Sequence, residues 1–122
     1  MRFIPTSLHG LADYTMAAVL IIVPLVAGWD IRAPQALVPL ILGLSILLYS
    51  LFTRYQMGAV DLVRMELHIA FDLVVGVILI ASPWCFGFAQ DSYVPHLVAG
   101  VVQIAVTLLS EAHPRGEWVK QL

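Results

Sequence analysis

Four long stretches of the chain contain no charged residue, and short segments between them carry the charges. The uncharged stretches run over residues 14–29, 33–53, 73–90 and 92–110. A helix needs roughly 20 mainly apolar residues to cross the ~30 Å hydrocarbon core of a bilayer. Each stretch approaches that length once its flanking turns are included. The pattern therefore predicts four transmembrane helices, at about 8–29, 34–54, 61–87 and 94–112.

The composition separates this chain from ordinary soluble proteins. Of its 122 residues, 61% are hydrophobic and 11% are charged, whereas soluble domains carry about 25% charged residues. Four helices use nearly the whole chain and leave no room for a soluble domain. We therefore expect an all-α polytopic membrane protein that forms a single membrane domain over residues 1–122.

An internal duplication organises the sequence. A shift of 59 residues aligns 8–29 with 67–88 without a gap, and both segments follow the pattern L-H-x3-D-x10-P-x3-G-[WF]. His, Asp, Pro and Gly are rare in apolar segments, so hydrophobicity alone does not generate the match. The second halves align with a two-residue change, which places Gly43 against Gly100. The chain is predicted to contain two parallel helical-hairpin repeats, 1–57 and 58–122, related by an axis along the membrane normal.

The loop charges predict the orientation of the helices. Five basic residues lie on the side of the amino terminus, whereas only Arg32 lies on the opposite side. The positive-inside rule then places both termini and the middle loop in the cytoplasm. We also expect helix three to extend into that loop, beginning after Gly58. The five basic residues are Arg2, Arg54, Arg64, Arg115 and Lys120.

Several function classes are not expected. The net charge is −2 and no run of Lys or Arg occurs, so the chain offers nothing to a nucleic-acid backbone. A single cysteine, Cys85, permits neither an intrachain disulfide nor a Cys-rich metal site. No nucleophile elbow, phosphate-binding glycine loop, HExxH or CxxC motif is present. We do not expect an enzyme that acts alone.

Two polar trios carry the candidate chemistry. They stand at positions i, i+4 and i+8, so each forms a stripe on one helix face. The third member is small in both trios, which would allow helices one and three to approach closely. If these helices pack about the repeat axis, the two His-Asp pairs meet near the cytoplasmic side. The trios are His9, Asp13 and Ala17, and His68, Asp72 and Gly76.

The sequence leaves the role of these pairs open. One interpretation is a structural polar clasp without a cofactor, because a helix amino terminus favours Asp and a neighbouring His can bond to it. Another is a four-ligand site for a divalent transition metal, built from two imidazoles and two carboxylates. Proton handling and haem ligation are further alternatives.

A proline-glycine unit stands near the outer ends of helices one and three. Pro24 and Pro83 each remove a backbone donor and should kink their helix. Ser82 is placed to bond a carbonyl that is freed in this way. Gly28 and Gly87 then permit a sharp exit from the helix. We interpret the unit as a helix terminator.

Ser82-Pro83-Trp84, followed by Gly87-Phe88 within a two-fold hairpin repeat, resembles the SPW repeat family of small bacterial membrane proteins. In that family the tripeptide lies in the first helix of each repeat, as it does here. The resemblance covers most of the chain. It implies the architecture and a bacterial inner membrane, and it implies no activity.

The first repeat departs from the tripeptide. It reads Val23-Pro24-Leu25, with its tryptophan displaced to Trp29, opposite Phe88.

Four polar residues lie near or within helix four. His96 and His113 have no counterpart in the other repeat, and we expect both to face solvent at the membrane edges. Gln103 and Thr107 stand at i and i+4, and we expect them to hydrogen-bond to a neighbouring helix.

Three functions are compatible with this pattern. The leading hypothesis is a non-enzymatic inner-membrane protein, acting as an accessory or scaffolding subunit of a larger complex or as a homo-oligomer. The second is a membrane protein that binds a metal or cofactor at the His-Asp cluster. The third is a small oligomeric transporter, which would need a deep polar residue such as Gln103 or Thr107.

Overall fold

The structure is a computed structural model that describes residues 2–113, so Arg115 and Lys120 of the orientation argument lie outside the described residues. Three helices are long and apolar enough to cross a membrane, and a fourth apolar helix is shorter. Between residues 2 and 113 the helices are the sole regular elements besides two isolated β-bridges. The chain is a small polytopic membrane protein, as predicted. The helices are α1 (Thr6–Val26), α2 (Pro34–Leu51), α3 (Met65–Cys85) and α4 (Val94–Leu109).

Each hairpin packs tightly within itself, α1 on α2 and α3 on α4, and the hairpins meet through α2–α3 and α1–α4. Gly43 permits the contact between α1 and α2, since a Cβ there would lie 3.1 Å from the carbonyl oxygen of Ala17. Gly100 permits the contact between α3 and α4, since a Cβ there would lie 2.7 Å from the carbonyl oxygen of Gly76. Ala17 and Gly76 therefore serve close approach within each hairpin. That they also bring helices one and three together stays a prediction.

The outer end of α3 shows why the proline and glycine are four positions apart. Gly87 has a φ of +75°, and the amide of Phe88 donates to the carbonyl of Pro83 at 2.8 Å. This bond, with glycine in the left-handed region, is the Schellman arrangement that closes a helix. A Cβ on Gly87 would meet nothing within 4 Å, so backbone conformation alone requires glycine. The first hairpin repeats the arrangement with Pro24, Gly28 and Trp29.

The proline inside α3 is compensated by its neighbour. Pro83 has no N–H, so the carbonyl of Leu79 lacks its helical donor. The hydroxyl of Ser82 donates to that carbonyl at 3.0 Å. Trp84, which follows, is 57% exposed on the outer surface of the helix. The first hairpin has Val23 in the place of the serine, so only the second copy supplies the hydroxyl.

The loop before α3 corrects one expectation about helix three. Residues 59–64 are not helical, because the segment runs extended beside the end of α2. The amide of Arg54 donates to the carbonyl of Val63 at 2.8 Å, and Thr53 and Val63 form a β-bridge. The first repeat does the same, with a bridge between Ile4 and Ser110. The bridge at Val63 places Thr53 near the start of α3, and the bridge at Ile4 places Ser110 near the start of α1.

Candidate metal centre

The structure brings the two His-Asp pairs together between α1 and α3. His9, Asp13, His68 and Asp72 are each 0–2% exposed. One ligand atom from each residue lies within 4.8 Å of the other three. The i, i+4 spacing places each pair on one helix face, and the parallel hairpins turn both faces inward. The result is a compact centre with two imidazole nitrogens and two carboxylate groups.

In this centre the His-to-Asp distances between the two hairpins are shorter than those within one helix. His9 Nε2 lies 2.8 Å from Asp72 Oδ2, and His68 Nε2 lies 2.8 Å from Asp13 Oδ2. Within α1 the distance from His9 Nε2 to Asp13 Oδ1 is 3.1 Å, and within α3 the distance from His68 Nε2 to Asp72 Oδ2 is 3.2 Å. The matching pairs of distances show that the centre follows the two-fold symmetry of the repeat.

A hydroxyl group fixes the orientation of each imidazole ring. His9 Nδ1 lies 2.7 Å from Ser110 Oγ, and His68 Nδ1 lies 2.7 Å from Thr53 Oγ1. Each hydroxyl donates its single hydrogen to the carbonyl four residues earlier, at 2.6 Å. It must therefore accept from the imidazole, so both Nδ1 atoms carry hydrogen. Both Nε2 atoms consequently point at the carboxylates.

Two tyrosines hydrogen-bond to the carboxylates. The phenol of Tyr49 donates to Asp72 Oδ1, and the phenol of Tyr55 donates to Asp13 Oδ2 at 3.2 Å. Burial, reinforced by the charge of Asp13, raises the pKa of Tyr55 above its ordinary value. Tyr55 therefore stays protonated and remains a donor.

Sequence reasoning missed these four supporting residues. Thr53 and Ser110 were detectable, because they stand 57 positions apart, as Gly43 and Gly100 do, and both carry a hydroxyl. The tyrosines gave no such signal, because the positions 57 residues after them hold valine and alanine. Only the tertiary structure shows that a phenol reaches each carboxylate.

The arrangement has the features of a transition-metal site. Tetrahedral zinc with bonds of about 2.0 Å separates neighbouring ligands by about 3.3 Å, close to the 2.8–3.2 Å between nitrogen and oxygen atoms here. Two neutral imidazoles and two carboxylates carry a charge of −2, which a divalent ion neutralises. Ligand histidines usually donate their second N–H to a fixed acceptor, and ligand carboxylates are usually hydrogen-bonded. Both kinds of support are present.

The two other histidines behave differently from each other. His96 is 2% exposed, contrary to the expectation that it faces solvent. Its Nε2 donates to the carbonyl of Gln35 at 2.9 Å, a group that Pro39 leaves without a helical donor. His96 therefore joins α4 to α2. His113 is exposed, as expected.

Thr107 does not bond as expected. The hydroxyl of Thr107 donates to the backbone carbonyl of Gln103 at 2.6 Å, within α4 itself. Both side chains are buried. A threonine that bonds back along its own helix satisfies its hydroxyl without a partner helix.

Comparison with known proteins gives one match. The SPW repeat domain family matches residues 7–110 of the chain. No curated protein and no solved structure matches.

Proposed function

The chain belongs to the SPW repeat domain family, and from that premise we propose that it is a multi-pass membrane protein that binds one divalent transition-metal ion. The ligands are His9, Asp13, His68 and Asp72, two from each repeat. In this proposal the metal joins the two hairpins, and the protein has no catalytic activity of its own.

One observation carries the proposal. Four buried ligand atoms lie within 4.8 Å of one another, and both imidazoles are held by their Nδ1 atoms so that Nε2 faces the centre. A structural clasp requires each imidazole to bond to one carboxylate. Here each Nε2 lies near both carboxylates, and such convergence favours a shared central ion.

The ligand set narrows the choice of ion. Imidazole suits zinc, copper, iron and nickel, whereas all-oxygen sites suit magnesium and calcium. Two nitrogens and two oxygens in a buried four-ligand site favour zinc or ferrous iron. Zinc is the practical probe because it has no redox chemistry.

Metal analysis of purified protein tests the proposal. Protein in mild detergent is stripped with a chelator, loaded with Zn²⁺ and passed through a desalting column. The zinc content should be about one ion per chain in the wild type. His68→Ala should retain less than a tenth of that amount, because loss of a ligand removes affinity. The matched control is His113→Ala, which changes an exposed histidine and should bind as the wild type does.

A clasp without metal gives a different result. Wild-type protein that is folded by circular dichroism and retains no zinc at micromolar concentration would overturn the proposal. Equal retention by wild type and His68→Ala would also overturn it. If His68→Ala does not fold, Asp72→Asn replaces it, because asparagine keeps the shape and one acceptor oxygen.

The cellular setting is part of the same proposal. We place the protein in the bacterial inner membrane with both termini in the cytoplasm, supported by the distribution of basic residues among the loops. Many large apolar side chains remain exposed on the four helices, which fits lipid contact. An accessory role in a larger complex or a homo-oligomer is compatible with this surface.

A further inference from the structure

The two carboxylates of the centre present different numbers of oxygens to the imidazoles. Asp72 presents one, because its Oδ2 lies 2.8 Å from His9 Nε2 and 3.2 Å from His68 Nε2. Asp13 presents both, because its Oδ1 lies 3.1 Å from His9 Nε2 and its Oδ2 lies 2.8 Å from His68 Nε2. Three oxygens and two nitrogens therefore converge at the centre.

The two phenols differ in the same way. Tyr49 donates to Oδ1 of Asp72, which is the oxygen that Asp72 does not present to the imidazoles. Tyr55 donates to Oδ2 of Asp13 at 3.2 Å, an oxygen that already faces His68. Tyr49 therefore engages the second oxygen of its carboxylate, whereas Tyr55 leaves Oδ1 of Asp13 without a phenol.

The sequence explains why only one carboxylate is held in this way. An offset of 57 residues relates the second helices of the repeats, as it relates Gly43 to Gly100. By that offset the counterpart of Tyr49 is Val106. Valine has no hydrogen to donate, so α4 supplies nothing to Asp13 that matches the phenol on Asp72. The centre is two-fold in its four ligand residues and asymmetric in their support.

Tyr49 is itself held by aromatic contacts on α3. Its ring centroid lies 4.9 Å from that of His68, with the ring planes at 87°. It lies 5.5 Å from the ring centroid of Phe71. Edge-to-face pairs at such distances are favourable. The phenol therefore has a defined position beside Asp72.

We propose, on the basis of the metal-binding function, that Tyr49 sets the coordination number of the ion. It is a positioning residue that engages Asp72 Oδ1, so that Asp72 gives the ion one oxygen while Asp13 gives two. A carboxylate can bind a metal through one oxygen or through both, and hydrogen bonds from outer residues orient ligands. With the two imidazoles, the ion has five donor atoms.

Five donor atoms suit zinc better than manganese. Zinc is held by four ligands and can expand to five, whereas manganese favours six oxygen-rich positions. In Tyr49→Phe the Oδ1 atom of Asp72 loses its donor and can turn to the ion as a sixth donor. The ratio of Zn²⁺ to Mn²⁺ affinity should therefore fall about tenfold, an effect typical of an outer residue. Competition between the two ions for metal-free protein in mild detergent measures the ratio.

Cobalt reports the coordination number by spectroscopy. Co²⁺ substitutes for zinc, and its visible absorption weakens at six-coordination because the geometry approaches a centre of symmetry. Absorption per bound Co²⁺ should fall about twofold in Tyr49→Phe, since coordination geometry determines the spectrum. A tyrosine that only filled space would leave this absorption unchanged.

Two matched variants remove a phenol without freeing a second oxygen. Tyr55→Phe takes a donor from an Asp13 oxygen that already faces His68, so metal affinity should fall while the absorption per bound Co²⁺ stays as in the wild type. Tyr14→Phe removes a phenol that donates to the carbonyl of Met57 at 2.7 Å. It should match the wild type in both measurements. Circular dichroism establishes that each variant is folded.

The outcomes separate this role from metal binding itself. One Co²⁺ per chain with the wild-type absorption and the wild-type Zn²⁺ to Mn²⁺ ratio in Tyr49→Phe would overturn the role of Tyr49 and leave the metal site standing. A folded wild type that binds no ion would overturn both. If Tyr49→Phe does not fold, X-ray absorption of zinc in the wild type decides. It should show five nitrogen or oxygen neighbours, and four or six would refute the coordination proposed here.

Discussion

His9 of the first hairpin lies closer to Asp72 of the second hairpin, at 2.8 Å, than to Asp13 of its own helix, at 3.1 Å. The sequence suggests local pairs, because His9 and Asp13 are one helical turn apart. In the folded chain the shorter bonds join the two repeats. The centre is therefore an interface between hairpins.

Removal of one carboxylate should weaken that interface. Asp72→Asn keeps the shape of the side chain but removes the charge that faces two imidazoles, and we expect the unfolding free energy to fall by about 1–3 kcal/mol. Unfolding in mixed micelles, followed by circular dichroism, measures the change. Asp61→Asn alters an exposed loop carboxylate and should change stability by less than about 0.5 kcal/mol. Equal effects of the two variants would show that the centre adds no stability.

Substitution of the cap glycine Gly87 should lower stability because of its backbone conformation. Gly87→Ala forces a residue with a Cβ into φ +75°, which costs about 1–2 kcal/mol. Gly87→Asn should cost less, because asparagine tolerates the left-handed region. Thermal unfolding of the two variants measures the difference. An alanine variant as stable as the wild type would mean that the helix ends without this cap.

Substitution of Gly76 by a large residue should lower stability because of a steric clash. A Cβ at Gly76 would lie 2.5 Å from Ile104 Cγ1 on α4, so Gly76→Leu should separate α3 from α4 and destabilise the second hairpin by roughly 1–3 kcal/mol or more. Ala18→Leu adds a similar side chain on the exposed face of α1 and is the control. Thermal unfolding compares them, and equal stability would contradict the observed packing.

Ser82 and Pro83 should be coupled. In the wild type Ser82→Ala leaves the carbonyl of Leu79 without a donor, and we expect a loss of about 0.5–1.5 kcal/mol. In a Pro83→Ala background the new amide can donate to that carbonyl, so Ser82→Ala should then cost almost nothing. A double-mutant cycle of unfolding free energies measures the coupling. An equal loss of unfolding free energy from Ser82→Ala in both backgrounds would show that the hydroxyl does not compensate for the proline.

The orientation gives the last prediction. A reporter that is active only outside the cytoplasm should be silent when inserted at Gly58 or fused after Lys120. The same reporter should be active at Asp30 or Asp91. Reporter assays in cells measure this directly, and an active fusion after Lys120 would reverse the proposed topology.

The sequence alone determined the class of the protein, its hairpins and the positions of its helix caps. Long uncharged stretches form helices in a bilayer, because their backbone groups must hydrogen-bond within their own helix. The repeated His, Asp, Pro and Gly marked the candidate site and the caps because those residues are rare in such stretches. These features are local, so the periodicity and spacing of residues such as Pro83 and Gly87 suffice to detect them.

Only the tertiary structure decided which groups meet. It paired His9 with Asp72, brought Ser110 to His9 across 101 positions of the chain, and buried His96 against the Gln35 carbonyl. It also assigned Gly76 to the contact with α4. The physical reason is that these contacts depend on how the hairpins pack and on the extended bridges at residues 4 and 63. Spacing along one helix carries no information about such packing.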